Sequence, residues 1–324
     1  MFKATVRGME PADAADTLGV VGEGAVLARI FPRLPSATSQ LLGPGDDAAV
    51  VAAPDGRFVV TTDMMIHGPD FRLAWSTPFD LGWKAAASNL ADVAAMGATP
   101  TALVVAIAAP ADTPVSTLTG IADGLREGCA AMAPGCGVVG GDLSVSDTLT
   151  IAVTAFGDLD GRPPVTRSGA RVGDVVAVAG VLGLSAAGLS ALFAHGVTDP
   201  GALRDDPLVI AQLRPHPPIG LGVVAALAGA TSMIDLSDGL ALDARRVARA
   251  SGVALDLSSD AVGSRGALDG GEDHSLLATF PGSVPEGFRI IGVVVAGEGV
   301  LVDGQPYTAR GGWDPYADWS GEAG

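Results

Sequence analysis

Seven aspartates stand where carboxylates can do more than keep a surface wet. Asp46 and Asp47 follow a glycine loop in GPGDDAAV, Asp63 follows FVVTT, and Asp142 follows VVGG. Asp235 and Asp238 lie in MIDLSDG, and Asp92 lies on a predicted helix with Lys84 and Ser88 at intervals of four. Most of these positions read as the end of an apolar element, which anchors the backbone while the carboxylate projects into a cleft. Hard oxygen donors held by rigid elements suit Mg²⁺, with water and phosphate oxygens completing its octahedron. Each aspartate alone also fits a helix cap or an Asx turn, most of all Asp235 and Asp238 at a helix start. Together they point to a phosphate site that uses several metal ions. The glycines of GPGDD, GGD and GGED allow close backbone approach to a phosphate, although glycine pairs are also ordinary turns. Thr61 and Thr62 offer oxygens beside Asp63, and Ser237 and Arg167 could hold nucleotide phosphates. Plain strand threonines and a solvated loop cation are the alternatives.

The elements that must position these groups alternate between strands and helices. A first helix is expected over Thr17 to Arg33, then a strand FVVTT ending at Asp63. Helical spacing of Leu81, Ala86, Leu90 and Val93 predicts a helix over Pro78 to Met96. A strand ALVVAIAA, a helix over Val115 to Met132, a strand GVVGGD ending on Asp142 and a strand TLTIAVTAFG follow. Gly157 to Pro164 is rich in turn residues, so the domain boundary is expected there, giving domains 1–158 and 159–324. Beyond it come the strand GDVVAVAG, a proline-bearing connector over 198–218, a helix near Ile219, and MIDLSDG opening a helix. ALDLSSD, SLLATF after GGEDH, and FRIIGVVV read as further strands. The pattern is that of a two-domain α+β or α/β enzyme.

Composition narrows the function. The chain has 324 residues with a formal net charge of −17, which argues against a nucleic-acid partner or an anionic membrane surface. An acidic protein binds phosphates when metal ions bridge the two negative partners. Lysine occurs only at Lys3 and Lys84, and there is no P-loop run. Cys129 and Cys136 make neither a disulfide framework nor a zinc site, and His67, His195, His216 and His274 have no metal-binding spacing. Residues 175–194 carry no charge, but a change from strand-like to helix-like pattern across glycines predicts a buried strand, turn and helix instead of a membrane span. No secretory signal is evident, so a cytoplasmic protein is expected.

The motifs GDDAAV, TTD, NLADVAAMGA, GGD, TRSGARVGD, IDLSDGL and GGED occur in the order found in thiamine-monophosphate kinases. The chain resembles that family from about Thr17 to Trp313 and shares several motifs loosely with the wider aminoimidazole-ribotide synthetase superfamily. The resemblance implies a two-domain α+β fold and a homodimer joined through the N-terminal sheets. It further implies ATP- and Mg²⁺-dependent phosphorylation of thiamine monophosphate to thiamine diphosphate. Carried over by position, Asp47, Thr61, Thr62, Asp63, Asp92, Asp142, Asp235 and Asp238 would ligate Mg²⁺, with Asp63, Asp142 and Asp238 at the chemistry. Gly141, Asp142, Arg167 and Ser237 would contact ATP. Glu272 and Trp313 would contact the thiamine moiety, the indole stacking on its cationic ring.

Two departures fall in the substrate pocket. The family commonly has histidine seven residues after the TTD aspartate, where Asp70 stands here with His67 three positions earlier. It also often reads GGEDYE, where this chain has His274 and Ser275. The rival readings are another ATP-using enzyme of the superfamily and a paralogue that binds thiamine phosphate or nucleotide without turnover.

Overall fold

The computed structural model describes residues 16–42, 50–195 and 203–312. Asp46, Asp47 and Trp313 therefore lie outside the described residues. The elements in order are α1 (Leu18–Val21), α2 (Glu23–Ile30), β1 (Gln40–Leu42), β2 (Val50–Val51), β3 (Val59–Ile66), α3 (Pro78–Ala95), β4 (Thr99–Ala109), α4 (Val115–Met132), β5 (Gly137–Val145) and β6 (Thr150–Asp158). They continue with β7 (Val175–Ala179), α5 (Leu184–His195), α6 (Pro207–Leu213), α7 (Gly220–Leu227), β8 (Ser232–Leu236), α8 (Leu240–Ser251), β9 (Ala254–Leu257), α9 (Ser259–Val262) and α10 (Arg265–Asp269). The last strands are β10 (Ser275–Phe280), β11 (Phe288–Val295), β12 (Gly299–Val302) and β13 (Gln305–Pro306).

Two main sheets carry the fold. One has the order β3-β6-β4-β5, antiparallel except for the parallel pair β4/β5. The other has the order β13-β12-β9-β11-β7-β10-β8 and is antiparallel except for β9/β12. Strand β6 alternates buried and half-buried residues, as a sheet covered on one face should. The helices α3 and α4 supply that cover. They meet through glycines: a Cβ on Gly82 would lie 2.0 Å from the Ile121 carbonyl oxygen, and one on Gly124 2.1 Å from that of Phe79. Both backbones therefore approach more closely than any side chain permits.

Helix α3 also reaches the other sheet. Its buried Leu81, Ala86, Leu90 and Val93 belong to one apolar core that continues through Met233, Leu276 and Phe280. Its N-terminus is fixed by a capping box, with Thr77 Oγ1 accepting the Asp80 N–H and Asp80 accepting the Thr77 N–H. Asp80 further pairs with Arg214 at 3.2 Å, and Trp83 Nε1 donates to the Pro215 carbonyl at 2.8 Å. One helix thus fixes the acidic groups of the first sheet relative to those of the second.

Several expected boundaries shift. The first helix breaks at Gly22, whose φ of 80° interrupts the α-helical path. Strands β3 and β5 run on past Asp63 and Asp142, because their partners β6 and β4 continue the ladder to Ile66 and Val145. The connector over 198–218 contains α6, capped by Asp206 accepting the Leu208 N–H and opened by Pro207. The uncharged stretch 175–194 forms β7, a glycine turn and most of α5, and among the described residues no helix is long and apolar enough to cross a membrane. Cys129 and Cys136 are buried free thiols.

Candidate active site

A cavity of about 470 Å³ opens where the two sheets face each other across α3. Strand β3 contributes Thr62, Asp63 and Met65, and α3 contributes Lys84, Ser88 and Asp92. From the other side come Asp235 of β8, Ser237 and Asp238 of the following loop, and Gly271, Glu272 and His274. The segment 68–76 together with α5 and α6 closes the remaining wall with Trp75, Leu189, Leu192, Phe193 and Gln212.

The loop bearing Glu272 is built under constraint. Glu272 and His274 both have positive φ, 72° and 51°, which non-glycine residues adopt only when their surroundings demand it. Asp273 between them turns away and accepts the N–H groups of Gly183 and Ser185 at the start of α5. The Glu272 N–H donates to the Ser237 carbonyl and the His274 N–H to that of Leu236. Both flanking side chains are thereby turned into the cavity.

The glycines also serve a packing use that their sequence did not reveal. A Cβ on Gly271 would lie 2.5 Å from the Ser237 carbonyl oxygen, and one on Gly141 1.9 Å from that of Val105. These residues let protein backbones meet each other, which is a sufficient reason for glycine at either position.

Electrostatics divide the acidic groups into compensated and uncompensated ones. Burial opposes ionisation of Glu272, but the paired Lys84 ammonium and the charge of His274 together outweigh it and hold the carboxyl below its ordinary range. Burial likewise opposes protonation of His274. A hydrogen bond to Asp235 at 3.3 Å and the charges of Asp235 and Glu272 overcome it and raise the imidazole. Asp238 pairs with Arg246, which also holds the fully buried Asp243. Asp63 and Asp92 form no ion pair among the described residues, although the charge of His274 acts on both. Loss of water raises Asp63 against the pull of the Met64 N–H. Asp92 is pushed up to about 6 by burial and then by the charge of Asp235, although Thr61 Oγ1 donates to it at 2.9 Å.

Of the residues expected from sequence, the cavity gathers Thr62, Asp63, Asp70, Asp92, Asp235, Ser237, Asp238 and Glu272, with Thr61 reaching it through Asp92. Asp70 also accepts the Ile66 N–H at 2.7 Å, so its carboxylate closes its own turn. Gly141, Asp142 and Arg167 do not line the cavity. The first two lie on β5, at the opposite edge of the sheet from β3, and Asp142 accepts from Ser144. Arg167 is exposed, and its carbonyl accepts from Ser251. His67 is not a lining residue either; it packs on Phe71. Lys84 was given no role from sequence, although its rarity and its shared face with Asp92 single it out. Trp75, Phe193 and Gln212 had no sequence signal.

The donors fit Mg²⁺ by their chemistry. They are hard oxygens that raise one another's pKa, so a cation between them relieves repulsion. Among the described residues no three His, Cys, Asp or Glu side chains converge closely enough to hold an ion by themselves. Mg²⁺ does not require that, because it commonly keeps waters and takes one or two carboxylates plus substrate phosphate.

Residues 45–159 match the family model for the N-terminal domain of AIR synthase related proteins. A solved thiamine monophosphate kinase from Aquifex aeolicus superposes with a TM-score of 0.70 at 33% identity, covering 79% of this chain and 90% of that one. A further structure, of AaThiL complexed with AMPPCP and TMP, gives a TM-score of 0.71 at 32% identity over 90% of this chain and 96% of that one. The thiamine-monophosphate kinase of Mycobacterium tuberculosis strain H37Rv is 47% identical over 95% of both chains. A cleft of hard oxygens set between two sheets, in a sequence alike to this degree along nearly its whole length, places the chain in the thiamine-monophosphate kinase family.

Proposed function

We propose that the protein transfers the terminal phosphoryl group of ATP to thiamine monophosphate, giving thiamine diphosphate and ADP. The observation that carries this reading is the cavity itself, which joins uncompensated carboxylates to an aromatic wall in a chain of this family. The relative complexed with AMPPCP and TMP supports the same pair of ligands. An oxygen of the acceptor phosphate forms the new P–O bond as the bond to the ADP oxygen breaks. A phosphate monoester has a second pKa of about 6, so the acceptor is already largely ionised at neutral pH. No strong general base is needed, and the chain's task is to position two anions and keep them in line.

Asp63, Asp92, Asp235 and Asp238, with Thr61 and Thr62, would hold Mg²⁺. When bound, Mg²⁺ neutralises the facing phosphates and orients them. His274 fixes the carboxylate of Asp235, and Lys84 holds Glu272, whose charge adds to the repulsion around Asp63. Glu272 and Asp70 would face the thiamine moiety and Ser237 the nucleotide. Gly141, Asp142 and Arg167 stay in the proposal as groups met by a nucleotide that extends beyond the cavity. Asp47 and Trp313 keep the metal and ring-stacking roles that the resemblance gives them.

The first domain would span 1–158 and carry dimerisation, and the second, 159–324, would complete the site. A homodimer through the first sheet is supported by exposed Phe58 just before β3, Val60 and Met64 along it, and Val145 at the end of β5. Use of ATP supports a cytoplasmic setting.

The test is chromatography of purified protein incubated with ATP, Mg²⁺ and thiamine monophosphate. A thiamine diphosphate peak that vanishes with EDTA and in Asp63→Asn is expected. Ligand binding without product would instead identify a non-catalytic paralogue.

A further inference from the structure

The wall of the cavity away from the carboxylates contains two buried polar atoms with no partner among the described residues, Trp75 Nε1 and Gln212 Oε1. Both side chains line the cavity, and each residue is only 6% exposed. A buried donor or acceptor left unpaired is costly, so a native fold that leaves two at one cavity wall is prepared for a ligand. Their senses are opposite: the indole N–H can only donate, and the amide oxygen accepts. Around them Trp75 meets Phe193 edge to face, with ring centroids 4.8 Å apart at 83°. Leu189, Leu192 and Leu213 complete an apolar surround. A flat ring with an accepting nitrogen next to an amino group matches this wall.

We propose that Trp75, Gln212 and Phe193 form the specificity subsite for the aminopyrimidine ring of the acceptor substrate. This rests on the thiamine-monophosphate kinase reading. The ring nitrogen accepts from Trp75 Nε1–H, and the amino group beside it donates to Gln212 Oε1. The thiazolium ring of the same substrate has neither an N–H nor a free accepting nitrogen, so it leaves both atoms unpaired. Charge favours the same orientation. The Arg72 guanidinium lies 4.7 Å from the Trp75 centroid and 5.0 Å from that of Phe193, and it has no carboxylate partner among the described residues. A cation seated there disfavours the positively charged thiazolium and leaves the neutral aminopyrimidine.

The experiment compares thiamine monophosphate with its oxo analogue, in which a carbonyl replaces the amino group and the neighbouring ring nitrogen carries a proton. That change reverses both hydrogen-bonding senses. Wild-type protein should prefer the amino substrate by about a hundredfold or more in kcat/KM, as expected when a site's buried polar groups are left unpaired. Gln212→Leu and Trp75→Phe should each raise KM for thiamine monophosphate about tenfold, with KM for ATP unaffected, and each should reduce the preference for the amino form. Circular dichroism checks that each variant folds, and the wild-type ratio tests the proposal even where one does not. Equal use of the two acceptors by the wild type, or a preference undiminished in folded variants, overturns the subsite. No thiamine diphosphate from the wild type overturns the kinase reading instead, and the subsite with it.

Discussion

The two ends of the cavity solve opposite problems. At the acidic end three carboxylates are matched from within the protein, Glu272 by Lys84, Asp235 by His274 and Asp238 by Arg246. Asp63 and Asp92 are left with raised pKa values and no ion pair of their own, the more distant charge of His274 only partly offsetting burial. At the aromatic end the imbalance is reversed, with Arg72 stacked on two rings and no carboxylate beside it. The difference shows how a single cleft orients a zwitterionic substrate. One end has fewer cations than carboxylates and favours a phosphate only together with metal ions, while the other offers shape and hydrogen bonds to an uncharged ring.

The largest expected effect separates the ends by kinetics. Asp92→Asn keeps the volume and can still accept from Thr61, but it removes one of the two uncompensated charges. Initial rates at saturating ATP and thiamine monophosphate should fall by about 10²–10³-fold, the scale of losing one preorganised electrostatic group. A variant whose only defect was a higher KM for thiamine monophosphate would show that the acidic end merely binds, and the contrast with the aromatic end would fail.

A backbone change should damage the acidic end first. In Gly82→Ala the added methyl would meet the Ile121 carbonyl oxygen at 2.0 Å, so α3 must move away from α4. Lys84, Ser88 and Asp92 ride on that helix, whereas Trp75, Phe193 and Gln212 do not. Overpacking of this kind costs about 1–3 kcal/mol. Chemical denaturation should report that loss, and the turnover rate should drop more than affinity for the acceptor. Unchanged stability would mean that the helix pair is looser than its glycines imply.

This asymmetry also governs what could be read before the structure. The spacing of Lys84, Ser88 and Asp92 put them on one helical face, and all three line the cavity. Asp63 was legible as a site residue but not as a mid-strand one. TTDMMI alternates sides as any strand does, and its true end is set by pairing with Thr150 of β6. The glycine pairs were ambiguous because close approach to a phosphate and close approach to another backbone require the same missing Cβ. The aromatic end was invisible. Trp75, Phe193 and Gln212 come from three separate elements, and only the packing of α5 and α6 near residues 68–76 unites them. The Asp206-Pro207 start of α6 was a signal available in sequence, outweighed there by the look of a proline-rich connector.

A smaller effect tests the acidic end without metal. In EDTA the Asp92 carboxyl titrates at about 6 in the fold, above its ordinary 3.8, so the folded state prefers the protonated form. The contribution of this group to stability is therefore intact below the unfolded pKa and is lost as pH rises through about 6. Asp92→Asn cannot suffer that loss. Melting temperatures in EDTA should be alike for wild type and variant near pH 4, and the variant should become the more stable of the two above about pH 6. Mg²⁺ should raise the wild-type value and the variant's less. A constant difference across the range would mean that Asp92 is not strained by its neighbours.

The smallest expected effect belongs to Arg72. Its guanidinium is held by the faces of Trp75 and Phe193 and is only half-buried, so the interaction is worth about 0.5–1 kcal/mol. Arg72→Met keeps an unbranched stem on the rings and removes only the charge. Denaturant unfolding should show a loss of that size, with the turnover rate far less affected than in Asp92→Asn. The same variant examines the logic of the cleft. If the cation repels the thiazolium from the aromatic end, its removal weakens the bias for one substrate orientation, and excess thiamine monophosphate should become a stronger inhibitor through backward binding. An Arg72→Met protein with the turnover defect of an acidic-end variant would mean that the guanidinium reaches the phosphates, and the two ends would then work as one electrostatic unit.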